Sequence, residues 1–298
     1  MSYLTGHWSF DPFVVVVSAV VVLYEIGLHH LKGRSRPERS RRRRIRSLNF
    51  YGGIVMLLLA IVSPIDYWAS DYFFVHMIEH IMIMFFAPIL IVFGEPWLPI
   101  AHAFPVGVRR RVGRAVLLGT WAAPLRALGR FAASGMVAVV AFNVVMIAWH
   151  VPALFDLSEN NQLVHIWLMH GSFFVSGIFF WLQIIPSRPF RPKLDGMQQI
   201  WAILFTNVLM FVLAMAMSIL SAHSWYPAYD HRPGVSLSPF ADQQIGAAIL
   251  WVCGDFWAVP ALIVVVRRAI GEEGDASSLL DRALGRRRVA VLGEEHGA

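Results

Sequence analysis

Residues 13 to 46 read FVVVVSAVVVLYEIGLHHLKGRSRPERSRRRRIR, and this stretch decides the class of the protein. Its first part, Phe13–Leu31, is almost entirely apolar and is long enough to cross a hydrocarbon core of roughly 30 Å as a helix. Its second part, Lys32–Arg46, holds nine basic residues. An apolar helix followed at once by a cationic segment is typical of a membrane span that ends in the cytoplasm.

Six further apolar segments follow along the chain. The seven predicted spans are Phe13–Leu31, Asn49–Ile65, Tyr72–Gly94, Ala133–Trp149, Leu163–Ile185, Gln199–Leu220 and Gln244–Val266. The links between them alternate in charge, because one set carries all the Lys and Arg residues except Arg232. The positive-inside rule therefore predicts an all-α polytopic membrane protein, a seven-transmembrane-helix bundle with its N-terminus outside and its C-terminus in the cytoplasm.

Composition agrees with a membrane protein and argues against other classes. The chain is 57% hydrophobic and 15% charged, which is too apolar for a soluble domain of this length. A net charge of +6 would favour nucleic acid in a soluble protein, but here the basic residues flank the spans and predict contact with anionic membrane lipid instead. We expect one membrane domain over residues 1–270, a polar cytoplasmic tail over residues 271–298, and no binding of nucleic acid.

The third span carries the densest set of ionisable residues. His76 and His80 are four residues apart, so they share one face of a helix, and Met84 continues that face one turn deeper. Glu79 lies beside the same face. If the span enters the membrane from outside near Tyr72, His76 is about 6 Å deep and His80 about 12 Å deep.

The fifth span presents a second pair at matching depth. His165 is then roughly 5 Å and His170 roughly 12 Å below the outer surface. In a regular α-helix His165 and Met169 share a face, whereas His170 lies about 100° round from Met169. The two histidine pairs are therefore expected at one level, although without distortion of the helix not all three side chains of span five can point at one spot.

Further candidate ligands lie near the outer surface. His150 closes span four and Asp242 opens span seven on the predicted outer side. Ionisable residues inside a membrane are costly and mark functional sites by default. Imidazoles with nearby thioethers favour Cu(I), and a single cysteine, Cys253, excludes a thiolate cluster. A histidine network that only packs helices, and a haem held by two histidines, remain alternatives.

The motifs together resemble the multi-span CtaG family of caa-type cytochrome c oxidase assembly factors. The resemblance covers spans three to seven and rests on a set of short motifs: HMIEHIMIMFFAPILIVFGEP from His76 to Pro96, WHVP from Trp149 to Pro152, the pair His165 and His170, Phe180-Trp181, Tyr226-Pro227, and DQQIG from Asp242 to Gly246 ahead of Trp251. The positions that match the family motif and also suit metal binding are His76, Glu79, His80, His150, His165, His170 and Asp242. One departure is Met169, where many relatives are expected to carry an acidic residue.

The resemblance implies a multi-pass protein of the bacterial plasma membrane that is needed to make an active haem-copper oxidase. From the residues we add the hypothesis that it is not an enzyme but a copper carrier, which binds the ion near the periplasmic face and passes it to a nascent oxidase subunit. His76, His80, His165 and His170 would be ligands, with Met84 below them, Glu79 balancing charge, and His150 and Asp242 at the outer gate. Partners would be oxidase subunits and periplasmic copper chaperones. The competing hypotheses are a haem- or metal-dependent membrane oxidoreductase and a cofactor-free assembly scaffold.

Overall fold

The secondary structure is helical throughout the part of the chain that the structure describes. The computed structural model describes residues 7–8, 11–32, 37–132, 134–230 and 234–273. Within these ranges a single isolated bridge, between Ser187 and Phe190, is the only β pairing, so the predicted all-α class is confirmed. Of the predicted cytoplasmic tail, residues 271–298, positions 271–273 belong to the last helix and the others lie outside the described residues.

Thirteen α-helices and two π-helical segments make up the described bundle. In chain order they are α1 (Phe13–Lys32), α2 (Pro37–Val62), α3 (Pro64–Ala69), α4 (Phe73–Ile81), π1 (Met82–Phe86), α5 (Ala87–Gly94), α6 (Trp97–His102), α7 (Val106–Leu118), α8 (Ala123–Ala132), α9 (Gly135–His150), α10 (Pro152–Glu159), π2 (Val164–His170), α11 (Gly171–Ile184), α12 (Gly196–Ser218) and α13 (Pro239–Glu273), with a 3-10 turn at Pro227–Tyr229.

The number of membrane spans is six or seven rather than simply seven. Among the described residues, six stretches are long and apolar enough to cross a membrane, and they are Phe13–Leu31, Arg41–Val62, Phe73–Gly94, Val164–Ile184, Gly196–Ser218 and Pro239–Gly271. The predicted fourth span corresponds to α9, whose 16 residues are about 24 Å long and fall short of a 30 Å core. It reaches the required length only together with α8, and the two helices meet at 77°.

The basic links meet at one end of the bundle. Arg46 forms an ion pair of 3.0 Å with Glu95. The indole of Trp97 donates to the hydroxyl of Ser187 at 2.8 Å. Near the end of α13, Arg268 donates to the last turn of α11 at 3.1 Å. Segments that the charge pattern assigned to one side of the membrane are therefore neighbours in the fold.

The weakly charged links meet at the opposite end. The hydroxyl of Tyr226 donates to the backbone carbonyl of His150 at 3.0 Å. The hydroxyl of Tyr229 donates to the carbonyl of Ala69 at 2.8 Å. The long link between α12 and α13 thus folds over this end and ties together the ends of α9 and α3.

A layer of aromatic side chains separates the two ends. Phe142 and Phe180 stack with ring centroids 4.4 Å apart, and Phe85 stacks on Trp257 at 4.8 Å. Trp181 meets Trp257 edge to face at 5.6 Å. All five side chains are buried. Close-packed aromatic rings leave few voids, so this layer closes the bundle between the histidine-bearing segments and the basic end.

Candidate metal centre

Helix α4 supplies the first set of functional side chains. The rings of His76 and His80 lie 4.2 Å apart and meet edge to face, as the spacing of four residues predicts. Glu79 is buried beside them and is fully inaccessible, as is His76. Only a cluster of polar partners or an ion makes such burial tolerable in an apolar bundle.

Asp242 fixes where α4 begins. Its two carboxylate oxygens accept hydrogen bonds from the backbone N–H groups of Phe73 and Phe74, at 2.8 and 2.9 Å. These are orphan donors of the first helical turn, and a carboxylate cap there contributes about 1 kcal/mol. The prediction placed Asp242 at an outer gate among the ligands, but the structure engages its carboxylate in holding α4 against α13.

The π-helical segment π2 brings His165 and His170 together. Five residues along a regular α-helix turn a side chain through roughly 500°, which would leave the two rings about 140° apart. The wider turn of a π-helix places residues five apart nearly above one another. Their ring centroids are accordingly 4.4 Å apart. The sequence prediction treated span five as a regular helix and so paired His165 with Met169. Met169 is instead fully buried, and its sulfur lies 3.5 Å from the hydroxyl of Ser158, which donates to the carbonyl of Phe155 at 2.6 Å.

The two sets converge on one point. Each of His76, Glu79, His165 and His170 offers one ligand atom, and these four atoms lie within 4.8 Å of one another. Metal–ligand bonds to imidazole nitrogen and carboxylate oxygen are about 2.0–2.2 Å, so the ligand atoms of a tetrahedral ion lie about 3.3–3.6 Å apart. The four atoms are therefore close enough to form one site if the most widely separated of them draw together by about 1 Å.

His80 and His150 form an adjoining layer rather than part of the four-ligand set. The His80 ring lies 6.0 Å from His170 and 6.2 Å from His150, measured between centroids. The Nδ1 atom of His150 faces the carbonyl of Met146 at 2.6 Å. Met84, predicted one turn below His80, falls in π1 and is buried in the apolar core.

Many polar atoms of this cluster are buried without a hydrogen-bond partner. In the described part of the chain these include the Nε2 atoms of His76 and His150, both carboxylate oxygens of Glu79, and both ring nitrogens of His80 and His170. Glu79 Oε1 lies 3.5 Å from His170 Nε2, which is longer than a good hydrogen bond. Each unsatisfied buried polar atom costs about 1–3 kcal/mol, so the donor set fits a bound ion.

Hydrogen bonds on the far side of the rings fix their tautomers. The Tyr229 hydroxyl already donates to Ala69, so it accepts from Nδ1 of His76, 2.9 Å away. A carbonyl can only accept, so Nδ1 of His150 donates to Met146. In both rings the proton sits on Nδ1, and the lone pair of Nε2 is left for a ligand. Metal-binding histidines are commonly oriented in this way.

Two acidic residues near the cluster were missed by the sequence analysis. Glu159, at the end of α10, places Oε1 3.1 Å from Nδ1 of His165 and 3.6 Å from Nδ1 of His76. Asp11, just before α1, lines a small cavity with His170, and burial raises its pKa, whereas the backbone N–H of Phe13 and the nearby His165 oppose that rise. Both residues lie outside the apolar spans, whereas the sequence analysis looked for ionisable residues inside them. The signal was present, since Glu159 is only six residues before His165.

A close contact at Gly177 sets the distance between α11 and π1, the segment that directly follows α4. A Cβ atom at Gly177 would lie 2.3 Å from the carbonyl oxygen of Met84 and 2.9 Å from Pro88. We expect Gly177→Ala to push α11 away from π1, to destabilise the protein by about 1–3 kcal/mol, and to weaken metal binding by separating His170 from α4. Thermal unfolding in detergent with and without metal measures both effects.

The matched control for that prediction is Gly171→Ala in the same helix. A Cβ atom there meets nothing within 4 Å, and alanine favours a helix over glycine by about 0.5–1 kcal/mol. We expect this variant to be as stable as the wild type or more so. Equal behaviour of the two variants would show that the contact at Gly177 does not position the site.

Comparison with known proteins identifies the family of this chain. A family model described as cytochrome c oxidase caa3 assembly factor (Caa3_CtaG) matches residues 22–272. Proteins of Mycobacterium bovis and Mycobacterium tuberculosis, each described only as uncharacterized, are 25% identical over 281 residues. That alignment covers 92% of this chain but 41% of each relative, so the chain spans less than half of their length. No solved structure matches. The family match covers most of the chain, including every residue of the four-ligand set, and the chain belongs to the family of cytochrome c oxidase caa3 assembly factors.

Proposed function

We propose that this protein takes up copper at the outer face of the bacterial plasma membrane and delivers it to a haem-copper oxidase subunit during assembly. The observation that carries the proposal is the convergence of three imidazoles and one carboxylate, from α4 and π2, within 4.8 Å. Family membership supplies the oxidase as the client. A role in delivery is not enzymatic, because the ion leaves unchanged.

The chemistry of the site supports copper. Imidazole is a good ligand for copper, and the single cysteine, Cys253, lies outside the four-ligand set, so no thiolate competes there. The carboxylate of Glu79 offsets the charge of a monovalent ion in an apolar setting, where an uncompensated charge is costly.

Exposure around the cluster supports loading and release from one side. The side chain of His165 is 19% exposed, whereas those of His76, Glu79 and His170 are at most 6% exposed. The aromatic layer of Phe85, Phe142, Phe180, Trp181 and Trp257 closes the bundle below. An ion that enters beside His165 would therefore leave by the same route, through ligand exchange with a partner, rather than cross the membrane. Periplasmic copper chaperones on one side and an oxidase subunit on the other are the expected exchange partners.

Metal analysis of the purified protein tests the proposal. We expect the protein, loaded with Cu(I) without oxygen and passed over a weak chelator, to retain stoichiometric copper, and its X-ray absorption spectrum to show nitrogen ligands. We also expect no Soret band. A Soret band in protein as purified would indicate a haem-dependent oxidoreductase, and failure to retain copper would indicate a scaffold.

A further inference from the structure

A polar pair lies on the outside of the bundle, halfway along two membrane spans. Asp255 is the middle residue of the span Pro239–Gly271, and Asn207 is the middle residue of the span Gly196–Ser218. Among the described residues, the hydrogen-bond partner of the Asp255 carboxyl group is the amide of Asn207, which donates to Oδ1 at 3.3 Å. Asp255 is exposed, although Trp257, two residues further on, is buried in the aromatic layer. The carboxyl group therefore faces outward at the middle of the membrane.

The surface around Asp255 is apolar. Val252, Phe256 and Val259 are all exposed, and because residues three and four apart share a face of a helix, they form one stripe with Asp255 on α13. Gly254 is buried, and a Cβ atom there would lie 2.7 Å from a side chain of α12, so α13 turns Gly254 inward and its neighbour Asp255 outward. Ionisable residues in membrane spans almost always face other protein groups or water, so a carboxyl group on an apolar outer face indicates a missing partner.

Pro260 adds a second acceptor beside the carboxyl group. Helix α13 continues through this proline. Proline has no N–H, so the carbonyl of Phe256, four residues earlier, cannot accept the usual helical hydrogen bond. Phe256 follows Asp255 directly, and both Phe256 and Pro260 are exposed. Backbone acceptors inside a bilayer need a donor from protein or water, so a carboxyl group and a carbonyl lie together on this face, both suited to an external donor.

The chain holds no basic side chain at this depth that could serve as the partner. The Lys and Arg residues of the candidate spans lie only toward the basic end, and the first one after Asp255 along α13 is Arg267, about 18 Å further on. A second copy of the chain would bring another Asp255 to the same depth instead of a cation. Two adjacent acceptors match a side chain with several donors, and the ammonium group of lysine and the guanidinium group of arginine provide them.

We propose that the face of α13 formed by Val252, Asp255, Phe256 and Val259 docks a transmembrane helix of a partner protein that carries a lysine or arginine in the middle of its span. The cationic group donates to the carboxylate of Asp255 and to the carbonyl of Phe256, and the apolar side chains of the partner helix pack on the two valines. Both polar groups of α13 are then satisfied inside a helix–helix interface. This face contains none of the four-ligand residues, so the proposal does not depend on copper binding.

Binding of synthetic transmembrane peptides to the full chain in phosphatidylcholine vesicles tests this proposal. The peptides are apolar helices of about 20 residues that differ only in their middle residue, which is lysine, leucine or glutamate. Energy transfer between a labelled peptide and the labelled protein gives the Kd. We expect the lysine peptide to bind at least about tenfold more tightly than the leucine peptide, and the glutamate peptide to bind no more tightly than leucine. Equal binding of the lysine peptide and either of the others would overturn the proposal.

Two pairs of variants locate the docking face. Asp255→Leu should abolish the preference for lysine, whereas Glu25→Leu, which removes an exposed carboxyl group of α1 that accepts from Tyr51, should keep it. Val259→Trp should obstruct the face, whereas Val140→Trp, at a similarly exposed position of α9, should not. Equal behaviour within either pair would contradict the assignment. Self-association of the wild type that Asp255→Leu abolishes would assign the face to a second copy of the chain and would also overturn the proposal.

Discussion

Alanine at both His76 and His80 should lower the affinity for Cu(I) by about 100-fold or more while the protein still inserts into the membrane. His76 belongs to the four-ligand set, and His80 packs against its ring at 4.2 Å. Loss of a hydrogen bond to a metal ligand alone typically costs 10–100-fold in affinity, so removal of a ligand with its neighbour costs at least as much. Competition against a Cu(I) chelator measures the affinity, and activity of the client oxidase in a complemented strain measures delivery.

The control for this double variant is His29→Ala/His223→Ala. Both of these side chains are exposed and lie outside the cluster. The control variant also loses two imidazoles, and it should keep both bound copper and oxidase maturation. If the His76/His80 variant also keeps both, the ion does not bind at this cluster.

The two single variants divide the site more finely. The sequence analysis gave His76 and His80 equal weight because they share a helix face. Of these two residues, only His76 belongs to the four-ligand set in the structure, and its Nδ1 is hydrogen-bonded to Tyr229. We therefore expect His76→Ala to lose more affinity than His80→Ala. The reverse order would place the ion one turn deeper, between His80, His150 and His170.

The sequence was sufficient for the helical class, the convergence of charge at one end, and the α4 pair. The spacing of four residues is a local property, and a regular helix preserves it. The prediction that the two histidine pairs lie at one level is confirmed, because the rings of His165 and His170 lie 5.2 Å from His76 and 6.0 Å from His80. That prediction used only the rise per residue along two neighbouring spans, and the rise is nearly the same in all helices.

The remaining features depend on contacts that no local pattern reveals. A π-helical turn shifts the register after His165, and its cost is met by packing from other helices, so periodicity alone could not predict it. Glu159 reaches His165 only because α10 folds back beside π2. Asp242 caps a helix that begins 169 residues earlier in the chain. The fourth predicted span stays a prediction, because hydropathy measures apolar content and not helix length: the 16 residues of α9 are short for the core alone, and the span is long enough only if α8 is counted with it.

Replacing Glu79 with leucine should stabilise the metal-free protein and abolish its response to copper. Both carboxylate oxygens of Glu79 are buried without a hydrogen-bond partner, so the side chain costs about 1–3 kcal/mol that leucine would recover. Copper at 100 times its Kd should raise the free energy of unfolding of the wild type by about 2.7 kcal/mol. The leucine variant lacks the carboxylate ligand and should not gain this stability. Copper should therefore raise the Tm of the wild type and leave the Tm of the leucine variant unchanged.

This difference in the response to copper distinguishes a ligand from a structural carboxyl group. If Glu79 served only to link α4 to His170, its loss would leave that imidazole unpaired and lower the Tm with and without copper alike. Glu79→Gln is the matched variant, since an amide keeps the shape and polarity but offers a much weaker ligand without charge. We expect it to lose the copper response as leucine does but to gain less stability in the metal-free state, because its polar atoms stay buried. A copper-induced rise in Tm that survives both substitutions would remove Glu79 from the site, and with it the charge balance that favours a monovalent ion.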